Sequence, residues 1–380
     1  MAKDAINETH GIAAVPIRMQ ATQPGVKARG ALSQAPGRFE SVAREDFDDG
    51  WTVDDEPAAP LETQVTEEQV RSLIQRNQSP DLPFELSINP YRGCEHGCIY
   101  CYARPAHAYL ELSPGLDFES RLFAKLNAAD VLRAEIGRRG YVCSPISIGA
   151  NTDCYQPAER RYGITRKLIT VLAESNHPLT IVTKSALIER DLDLLGPMGR
   201  ANLAKVFVTV TTLDRVLARR LEPRAPAPQR RLDTIRALAA AGVPVGVMMA
   251  PVIPGLNDKS LEEALEAAAR AGATMAGYQM LRLPNELKAL FREWLATQLP
   301  QRAAHVMSLV HQLRGGRDND PRFGTRMTGT GAFAELVARR FEIACRRTGL
   351  NGADRGQAPR RELDCSKFRR PDRAGQMSLF

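Results

Sequence analysis

Short apolar segments alternate with longer amphipathic segments along most of the chain from residue 84 onwards. We predict strands from the apolar segments at residues 84–89, 145–149, 179–183, 206–211, 243–250 and 275–280. Helical periodicity predicts helices between them at residues 128–138, 165–174, 187–195, 229–241 and 260–271. Strands that are apolar on both faces and joined by helices predict an α/β fold, with a parallel sheet covered by helices. Six such units are fewer than the eight of a closed TIM barrel.

The N-terminal part of the chain lacks this periodicity. Residues 1–65 are rich in Ala, Pro, Gly and acidic side chains, so we expect them to be mostly disordered. The run Thr66-Glu-Glu-Gln69 is typical of a capping box and predicts a short helix that ends near Ile74. This helix would open the folded core, which we expect to span residues 66–300. Residues 122–126 predict one further short strand.

The C-terminal part is predicted to be helical and then flexible. Helical periodicity at residues 302–313 and 333–347, on either side of a Gly/Thr-rich stretch, predicts a helical extension over residues 301–350. Residues 351–380 are rich in Arg and lack periodicity, which predicts a basic, flexible tail.

Composition and charge narrow the class of partner. The 380 residues carry a formal net charge of +7, with acidic residues concentrated at 45–69 and basic residues at 355–373. The positive excess favours a polyanionic partner, and the basic tail is a candidate for contact with nucleic acid, although charged tails are often only solvated. The sequence has no N-terminal signal pattern and no apolar run of about 18 residues, so we expect a cytoplasmic protein without a membrane partner.

Three cysteines lie close together in the run Asn89-Pro-Tyr-Arg-Gly-Cys94-Glu-His-Gly-Cys98-Ile-Tyr-Cys101-Tyr102. Three thiolates at this C-x3-C-x2-C spacing can bind three irons of a cubane cluster, which leaves the fourth iron open to a small molecule. A zinc site, with His96 as the nearby fourth ligand, and thiols without any metal are the alternatives. A disulfide would leave one of the three cysteines unpaired.

The cysteine motif, with the aromatic Tyr100 before the third cysteine, resembles the cluster loop of radical S-adenosylmethionine (SAM) enzymes. The resemblance covers about residues 84–300 and implies an open partial TIM barrel, the (β/α)6 radical SAM core, in agreement with the six predicted units. It also implies a 4Fe-4S cluster that cleaves SAM reductively to a 5′-deoxyadenosyl radical, which abstracts hydrogen from a substrate. The electron would come from a reductant such as flavodoxin or ferredoxin.

Polar residues at the carboxyl ends of the predicted strands are candidates for holding SAM. The candidates are Tyr100 in the cysteine loop and Gly149, Asn151, Asp153, Lys184 and Thr211 after successive strands. Many family members have a Gly-Gly-Glu stretch after the second strand; this chain lacks it, and Asn151 or Asp153 would replace it. Lys184 would pair with the SAM carboxylate. The alternative is that these side chains only cap helices or are solvated.

Within the superfamily the chain resembles spore photoproduct lyase and the wider group of DNA-repair-photolyase-like proteins. The likeness rests on Tyr100 and Tyr102 beside the third cysteine, on Thr183-Lys184, and on the stretch from Leu221-Glu222-Pro223 to Arg231. The signature NPYRGCEHGCIYCYARP is typical of one subfamily of this group. In the lyase the two tyrosines are thought to relay a radical, which implies catalytic roles for Tyr100 and Tyr102.

The lyase also carries a hydrogen-donor cysteine after its second strand. That position corresponds to Ala150 here, so Cys154 is the nearest candidate donor. The resemblance implies a substrate in nucleic acid, such as a DNA lesion. An RNA, protein or small-metabolite substrate, and a non-enzymatic metal-binding adaptor, stay open as alternatives.

Further polar residues flank these motifs. Arg104, His107 and Tyr109 are candidates either for the substrate mouth or for packing of the cysteine loop. Three arginines near a Pro-rich loop are candidates for contact with SAM or a phosphate: Arg224, Arg230 and Arg231.

The last five residues carry a separate signal. The run Gln376-Met-Ser-Leu-Phe380 resembles the Gln-x-x-Leu-Phe peptide by which bacterial repair proteins bind the replication sliding clamp. A mobile tail with two apolar anchors and one amide suits such a pocket, so the clamp is an expected partner. An ordinary frayed terminus is the alternative, because a five-residue match is short.

Overall fold

The computed structural model describes residues 29–40, 61–352 and 362–371. The strands in these ranges are β1 (Gln64–Glu68), β2 (Gln75–Arg76), β3 (Leu86–Ile88), β4 (Tyr91–Arg92), β5 (Arg121–Lys125), β6 (Ile146–Ile148), β7 (Leu179–Thr183), β8 (Ala204–Thr209), β9 (Val245–Val252) and β10 (Met275–Met280). The α-helices are α1 (Asp117–Ser120), α2 (Ala128–Ile136), α3 (Glu159–Tyr162), α4 (Ile164–Glu174), α5 (Leu192–Arg200), α6 (Arg215–Leu221), α7 (Pro228–Ala240), α8 (Leu261–Arg270), α9 (Leu287–Gln298), α10 (Pro300–Leu313) and α11 (Ala332–Thr348).

Six strands form the parallel sheet that the apolar segments predict. The order β3-β6-β7-β8-β9-β10 follows the chain, and every neighbouring pair is parallel. Strand β2 extends the β3 edge in the antiparallel direction, and β10 forms the opposite edge. Helices return the chain from each strand to the next, so the sheet is an open α/β barrel of six units. The predicted (β/α)6 core is confirmed.

One predicted helix differs from the structure, and helix α9 has no counterpart among the predicted helices. The segment predicted as a helix at 187–195 is a 3-10 helix over Ala186–Asp191 followed by α5. Helix α9 was not predicted, although its buried residues Leu287, Leu290, Phe291, Trp294 and Leu295 follow the spacing of one helical face. The periodicity was therefore present in the sequence and would have revealed this helix.

The capping-box prediction at residues 66–74 is wrong. Residues 64–68 form β1, which pairs in parallel with β5, and β5 pairs with β4 in a second, three-stranded sheet. Strand pairing with a distant segment overrides the local helical signal of Thr66-Glu-Glu-Gln69. Glu68 instead accepts a hydrogen bond from Arg92 Nε on β4, at 3.1 Å.

Parts of both predicted disordered ends are packed against the core, which corrects those predictions for the residues concerned. Arg29 and Ala31 are buried. In the tail, the Phe368 ring lies 5.6 Å from that of Tyr141 and 5.2 Å from that of His177. Residues 1–28, 41–60, 353–361 and 372–380 lie outside the described residues. The clamp-like peptide is among them, so binding to the clamp stays a prediction.

Two large apolar clusters stabilise the fold, and a third, small one combines Cys94, Ala103 and Phe118. The largest one fills the space between the parallel sheet and its helices. The second one lies beneath the cysteine loop and combines Ile99 with Leu221, and with Phe291 and Trp294 of α9. Val306 and Val310 of α10 belong to the same cluster, so α9 and the start of the helical extension both support the loop. Within the described ranges, no helix combines the length and the apolar character that a membrane span requires.

Candidate active site

A cavity of about 1010 Å³ opens at the carboxyl ends of the parallel strands, where α/β barrels bind their ligands. The predicted residues that line it are Cys94, Cys98, Cys101, Tyr100, Tyr102, Gly149, Asn151, Asp153 and Lys184. The fold thus brings together residues that are up to 90 positions apart in the chain. Thr211 and Cys154 are not on this wall.

The three cysteines lie on the loop that follows β4. Cys94 and Cys98 are buried, Cys101 is half-buried, and all three are free thiols. Burial raises the pKa of Cys98 to about 12 and that of Cys94 well above its usual value. Burial thus favours the protonated thiols. Metal ligation requires thiolates, so a bound metal would favour the deprotonated form instead.

The geometry of these thiols bears on the kind of metal. Within residues 29–40, 61–352 and 362–371, no group of three or more His, Cys, Asp or Glu side chains is arranged to hold a metal ion. A zinc site needs its ligands to converge on one ion. In a cubane each thiolate binds its own iron, so three sulfurs on one cavity wall suit a cluster without such convergence.

Arg104 fixes the backbone of the cysteine loop. Its buried guanidinium donates hydrogen bonds to the carbonyls of Gly97, Cys98 and Gly115, at 3.1, 2.9 and 2.9 Å, and pairs with Glu119. These contacts leave it no access to the cavity, so the interpretation of Arg104 as a residue of the substrate mouth is wrong.

The packed N-terminal segment is part of the same support. Glu119 Oε2 and Oε1 accept hydrogen bonds from the amides of Gly30 and Ala31, both at 2.8 Å. A Cβ atom at Gly30 would lie 1.7 Å from the Gly97 carbonyl oxygen. The two backbones therefore touch, and only glycine fits at position 30.

Asp153 joins the cysteine loop to two strand ends. Its carboxylate accepts hydrogen bonds from the Thr183 hydroxyl at 2.7 Å and the Lys184 amide at 2.8 Å, and His96 Nδ1 lies 3.3 Å away. Burial alone would raise the pKa of Asp153, but His96 and these donors lower it below its usual range. Asp153 is thus an ionised connector on the cavity wall, with most of its acceptor capacity already used.

The turn after β6 needs a glycine and presents one amide side chain. Gly149 has φ +83°, and a Cβ atom there would lie 3.1 Å from the Val182 carbonyl and 3.2 Å from Cys154 Sγ. Asn151, exposed at the wall, is held through its backbone amide, which donates to Asn89 Oδ1 at 2.8 Å. The amide side chain of Asn151 lines the cavity beside this turn.

Behind Tyr100 and Lys184 of the cavity wall lies a buried network, which we call the floor, of Tyr100, Thr211, Glu222 and Arg231. The hydroxyls of Tyr100 and Thr211 donate to the Glu222 carboxylate, which also pairs with Arg231. Burial alone would raise the pKa of Glu222, but the charges of Arg231 and Lys184 lower it to about 2. Thr211 lies within this network, so its prediction as a SAM ligand is wrong. Arg231 likewise has an internal partner.

Lys184 presents a charged group above this floor. Its Nζ lies 5.8 Å from the Tyr100 ring centroid. The backbone amide of Lys184 donates to Asp153, but the Nζ group donates no hydrogen bond to any residue within the described ranges. Burial alone would lower the pKa of Lys184, but the sulfur of Cys98 and the carboxylate of Glu222 raise it. The ammonium group therefore stays protonated with free donors, next to the cysteine loop.

Tyr102 and Ala150 meet on another part of the wall. The Tyr102 hydroxyl donates to the Ala150 carbonyl, at the position where the resemblance places a donor cysteine. Cys154 is fully buried in the main apolar cluster, so its prediction as the hydrogen donor is wrong. A neighbour of Asp153 in sequence points into the core because the turn after β6 directs it there.

The remaining candidates have partners outside the cavity. His107 is buried, with Nε2 2.9 Å from the Arg121 carbonyl, and Tyr109 is 71% exposed on the outer surface. Arg224 and Arg230 form ion pairs with glutamate side chains, at 3.0 Å and 2.5 Å. None of these four residues lines the cavity, and for His107 the structure favours the alternative, packing of the cysteine loop.

Two segments that sequence reasoning left without a role form the mouth of the cavity, which we define as residues 75–84 and 314–331. Asp81 accepts hydrogen bonds from Arg326 Nε at 2.5 Å and from the Gly324 amide at 2.7 Å. The Met327 carbonyl accepts a hydrogen bond from the Met280 amide of β10, at 2.8 Å. The mouth therefore bridges the two edges of the open sheet. No local pattern signals this contact, because its partners lie 245 positions apart.

Comparisons with known proteins identify related sequences. The family model of the radical SAM superfamily matches residues 88–268. An uncharacterised protein of Mycobacterium tuberculosis is 40% identical over 233 residues, which cover 61% of this chain and 68% of that protein. An uncharacterised protein of Methanocaldococcus jannaschii is 28% identical over 171 residues, which cover 45% of this chain and 61% of that protein.

Solved structures of spore photoproduct lyase are similar in fold. The lyase complexed with dinucleoside spore photoproduct aligns with a TM-score of 0.55 and 17% identity, covering 75% of this chain and 79% of the lyase. A lyase mutant with bound AdoMet and dinucleoside spore photoproduct aligns with a TM-score of 0.55 and 16% identity, covering 75% and 78%. From its sequence match and its fold, the chain belongs to the radical SAM superfamily.

Proposed function

We propose that this chain uses a 4Fe-4S cluster and SAM to start radical chemistry on a nucleic-acid substrate, as a DNA-repair-photolyase-like enzyme. The observation that carries the proposal is that Cys94, Cys98 and Cys101 line the same cavity as Lys184, at the strand ends. Three thiols on one wall provide three cluster ligands, and the cavity beside them has room for SAM and part of a substrate.

The residues of the chain would divide the work of holding these groups. Cys94, Cys98 and Cys101 would hold the cluster, which when bound with SAM supplies a 5′-deoxyadenosyl radical for hydrogen abstraction. The Lys184 ammonium, which has free donors, would bind the SAM carboxylate in a charge-assisted hydrogen bond. Asn151 at the cavity wall would bind the polar end of SAM, and Asp153 would orient the Lys184 backbone.

The aromatic residues of the cysteine loop would act differently from each other. Tyr100 has its hydroxyl locked on Glu222 and would position the loop from below. Tyr102 keeps its ring on the cavity wall and its hydroxyl on the Ala150 carbonyl, so it is the better candidate to return a hydrogen atom. A reductant such as flavodoxin or ferredoxin would supply the electron.

A nucleic-acid substrate is supported by two observations. The chain carries a formal net charge of +7, which favours a polyanion. The solved lyase that shares its fold is described in complex with a dinucleoside photoproduct. DNA is therefore the first substrate class to test.

The test is SAM cleavage by the anaerobically reconstituted, dithionite-reduced protein. Wild type is expected to form 5′-deoxyadenosine, and Cys98→Ala is expected to lose at least about 100-fold of this activity because one cluster ligand is gone. Cys143→Ala is the matched control, since Cys143 is a thiol away from the cavity wall. Equal activity of wild type and Cys98→Ala, or no product from wild type loaded with iron and sulfide, would contradict the proposal.

A further inference from the structure

The cavity wall carries more positive than negative charge. Within the described ranges it includes four basic side chains, Arg76, Lys184, Arg282 and Arg326, and one carboxylate, that of Asp153. Arg76 is exposed at the rim, and Arg326 is already paired with an aspartate of the mouth. With Lys184 assigned to SAM, Arg282 is the basic residue that still lacks a function.

Arg282 has no acidic partner within ion-pair distance among the described residues, and the Asp81 carboxylate acts on it only at longer range. Arg282 forms no ion pair within residues 29–40, 61–352 and 362–371, and its buried Nε has no hydrogen-bond acceptor. Its Nη1 reaches only the Met327 sulfur, a weak acceptor, at 3.6 Å. A guanidinium keeps its charge even where burial and a neighbouring arginine lower its pKa, as they do here. A partly buried cation with unused donors indicates a missing anion.

The position of this arginine is fixed from two sides. The preceding residue, Leu281, donates its amide to the Val252 carbonyl at 3.0 Å and accepts a hydrogen bond from Arg314 Nη2 at 2.6 Å. The Arg282 guanidinium carbon lies 5.4 Å from the Tyr102 ring centroid. Stacking on an aromatic ring orients the planar donors of an arginine. The donors are thus set beside the cysteine loop before any ligand arrives.

The surrounding wall suits a nucleotide. Phe323 of the mouth is 60% exposed and lines the cavity. The Arg326 guanidinium lies over one face of its ring, 4.6 Å from the centroid, which leaves the exposed part of the ring for stacking on a base. Gln279 places an amide group on the same wall, and amides recognise base edges. The Gln279 Nε2 contacts only the Met327 sulfur, which a stronger acceptor would replace.

We infer that Arg282 is the substrate-anion site of this enzyme and binds a phosphodiester of the nucleic acid whose nucleotide enters the cavity. The inference rests on the proposed function and names the contact that recognises the substrate class. A bidentate guanidinium–phosphate contact beside Tyr102 would hold the neighbouring nucleotide against the cysteine loop. Arg282 acts in substrate positioning and is not assigned a chemical step.

The experiment compares two probes that differ by one charge: thymidylyl-thymidine and its analogue with an uncharged methylphosphonate linkage. Both are titrated anaerobically into the reconstituted protein with SAM present. Wild type is expected to bind the charged probe about tenfold more tightly, the size of one charge-assisted hydrogen bond. Arg282→Gln is expected to bind both within about twofold, and Arg282→Lys to retain an intermediate preference. The matched control Arg236→Gln removes an exposed arginine on α7 and is expected to keep the full preference.

The outcomes separate this inference from the proposed function. Equal affinity of wild type for the two probes, or an undiminished preference of Arg282→Gln for the charged probe, would overturn the inference. If wild type still formed 5′-deoxyadenosine, the radical SAM proposal would stay intact. Absence of SAM cleavage in wild type would overturn the proposed function itself. Binding of neither probe by an active enzyme would exclude a phosphodiester at Arg282 and direct the search to a protein or metabolite substrate.

Discussion

The floor and the mouth of the cavity differ in how their charges are satisfied. In the floor, Glu222 and Arg231 pair with each other, and the hydroxyls of Tyr100 and Thr211 complete the carboxylate's hydrogen bonds. At the mouth, Arg326 is paired with Asp81, whereas Arg282 on the cavity wall forms no ion pair with any described residue. Fully paired buried groups stiffen a site, whereas an unpaired cation is costly unless a ligand completes it. The difference indicates that the floor is a permanent support, whereas the cavity wall at Arg282 can bind an incoming anion.

The largest effect is expected from a substitution that removes the ion pair of the floor. Glu222→Gln leaves the buried Arg231 without its counter-charge and should lower the free energy of unfolding by about 3 kcal/mol. Urea denaturation of the protein at pH 7 measures this change. Glu262→Gln is the matched control, since Glu262 pairs with Arg340 at a half-exposed site on α8. A loss no larger than that of the control would show that the floor is not a fixed support.

The same carboxylate predicts a pH dependence. The folded pKa of Glu222 is below its unfolded value of about 4.5, so its contribution to stability is complete above that pH. It is lost as the pH falls from about 4.5 towards 2, where the folded carboxylate is protonated. Wild type should therefore lose more stability than Glu222→Gln in this range, and parallel curves would contradict the assignment.

A smaller effect, on the affinity for SAM, is expected from substitution of Lys184 beside the floor. Lys184→Gln removes the ammonium that would bind the SAM carboxylate and should weaken SAM binding about tenfold. Equilibrium binding of SAM to the reconstituted protein measures this effect. The control is Lys167→Gln, an exposed lysine on α4. An unchanged affinity for SAM in Lys184→Gln would assign this lysine to the floor alone.

The smallest expected effect concerns the bridge across the mouth. Asp81→Asn weakens the contact with Arg326 and should increase hydrogen exchange of the amides in residues 320–327 a few-fold, because Asp81 accepts two of the hydrogen bonds that hold this segment. Exchange in β7, a strand in the interior of the parallel sheet, provides the internal control. Uniform exchange changes throughout the chain would show that Asp81 supports the whole fold rather than this bridge.

The sequence predicted the sheet well because its strands are short, apolar and separated by amphipathic helices. β7 and β10 coincide with the predicted segments, and the cysteine motif identified three residues on the cavity wall. Lys184 was found because it ends a strand, and strand ends meet in this fold. These successes depend on local patterns and on one topological rule.

The failures depend on distant contacts. Thr66-Glu-Glu-Gln69 became a strand because β5 was available to pair with it. Cys154 directly follows the wall residue Asp153, and Thr211 comes two positions after the wall residue Thr209, but their side chains turn into the core and the floor, respectively. Arg282 carries no motif, and only the position of its neighbours shows that it lacks an acidic partner. Side-chain direction after a strand end cannot be obtained from spacing alone.

The most direct test of the whole account is isotope transfer from the substrate to the cofactor product. The reduced enzyme would be incubated with SAM and ultraviolet-irradiated DNA that is uniformly deuterated, and the mass of the 5′-deoxyadenosine would be measured. The account predicts 5′-deoxyadenosine that has gained deuterium from the DNA. Product without deuterium, formed at a rate that DNA does not change, would contradict a nucleic-acid substrate at this cavity.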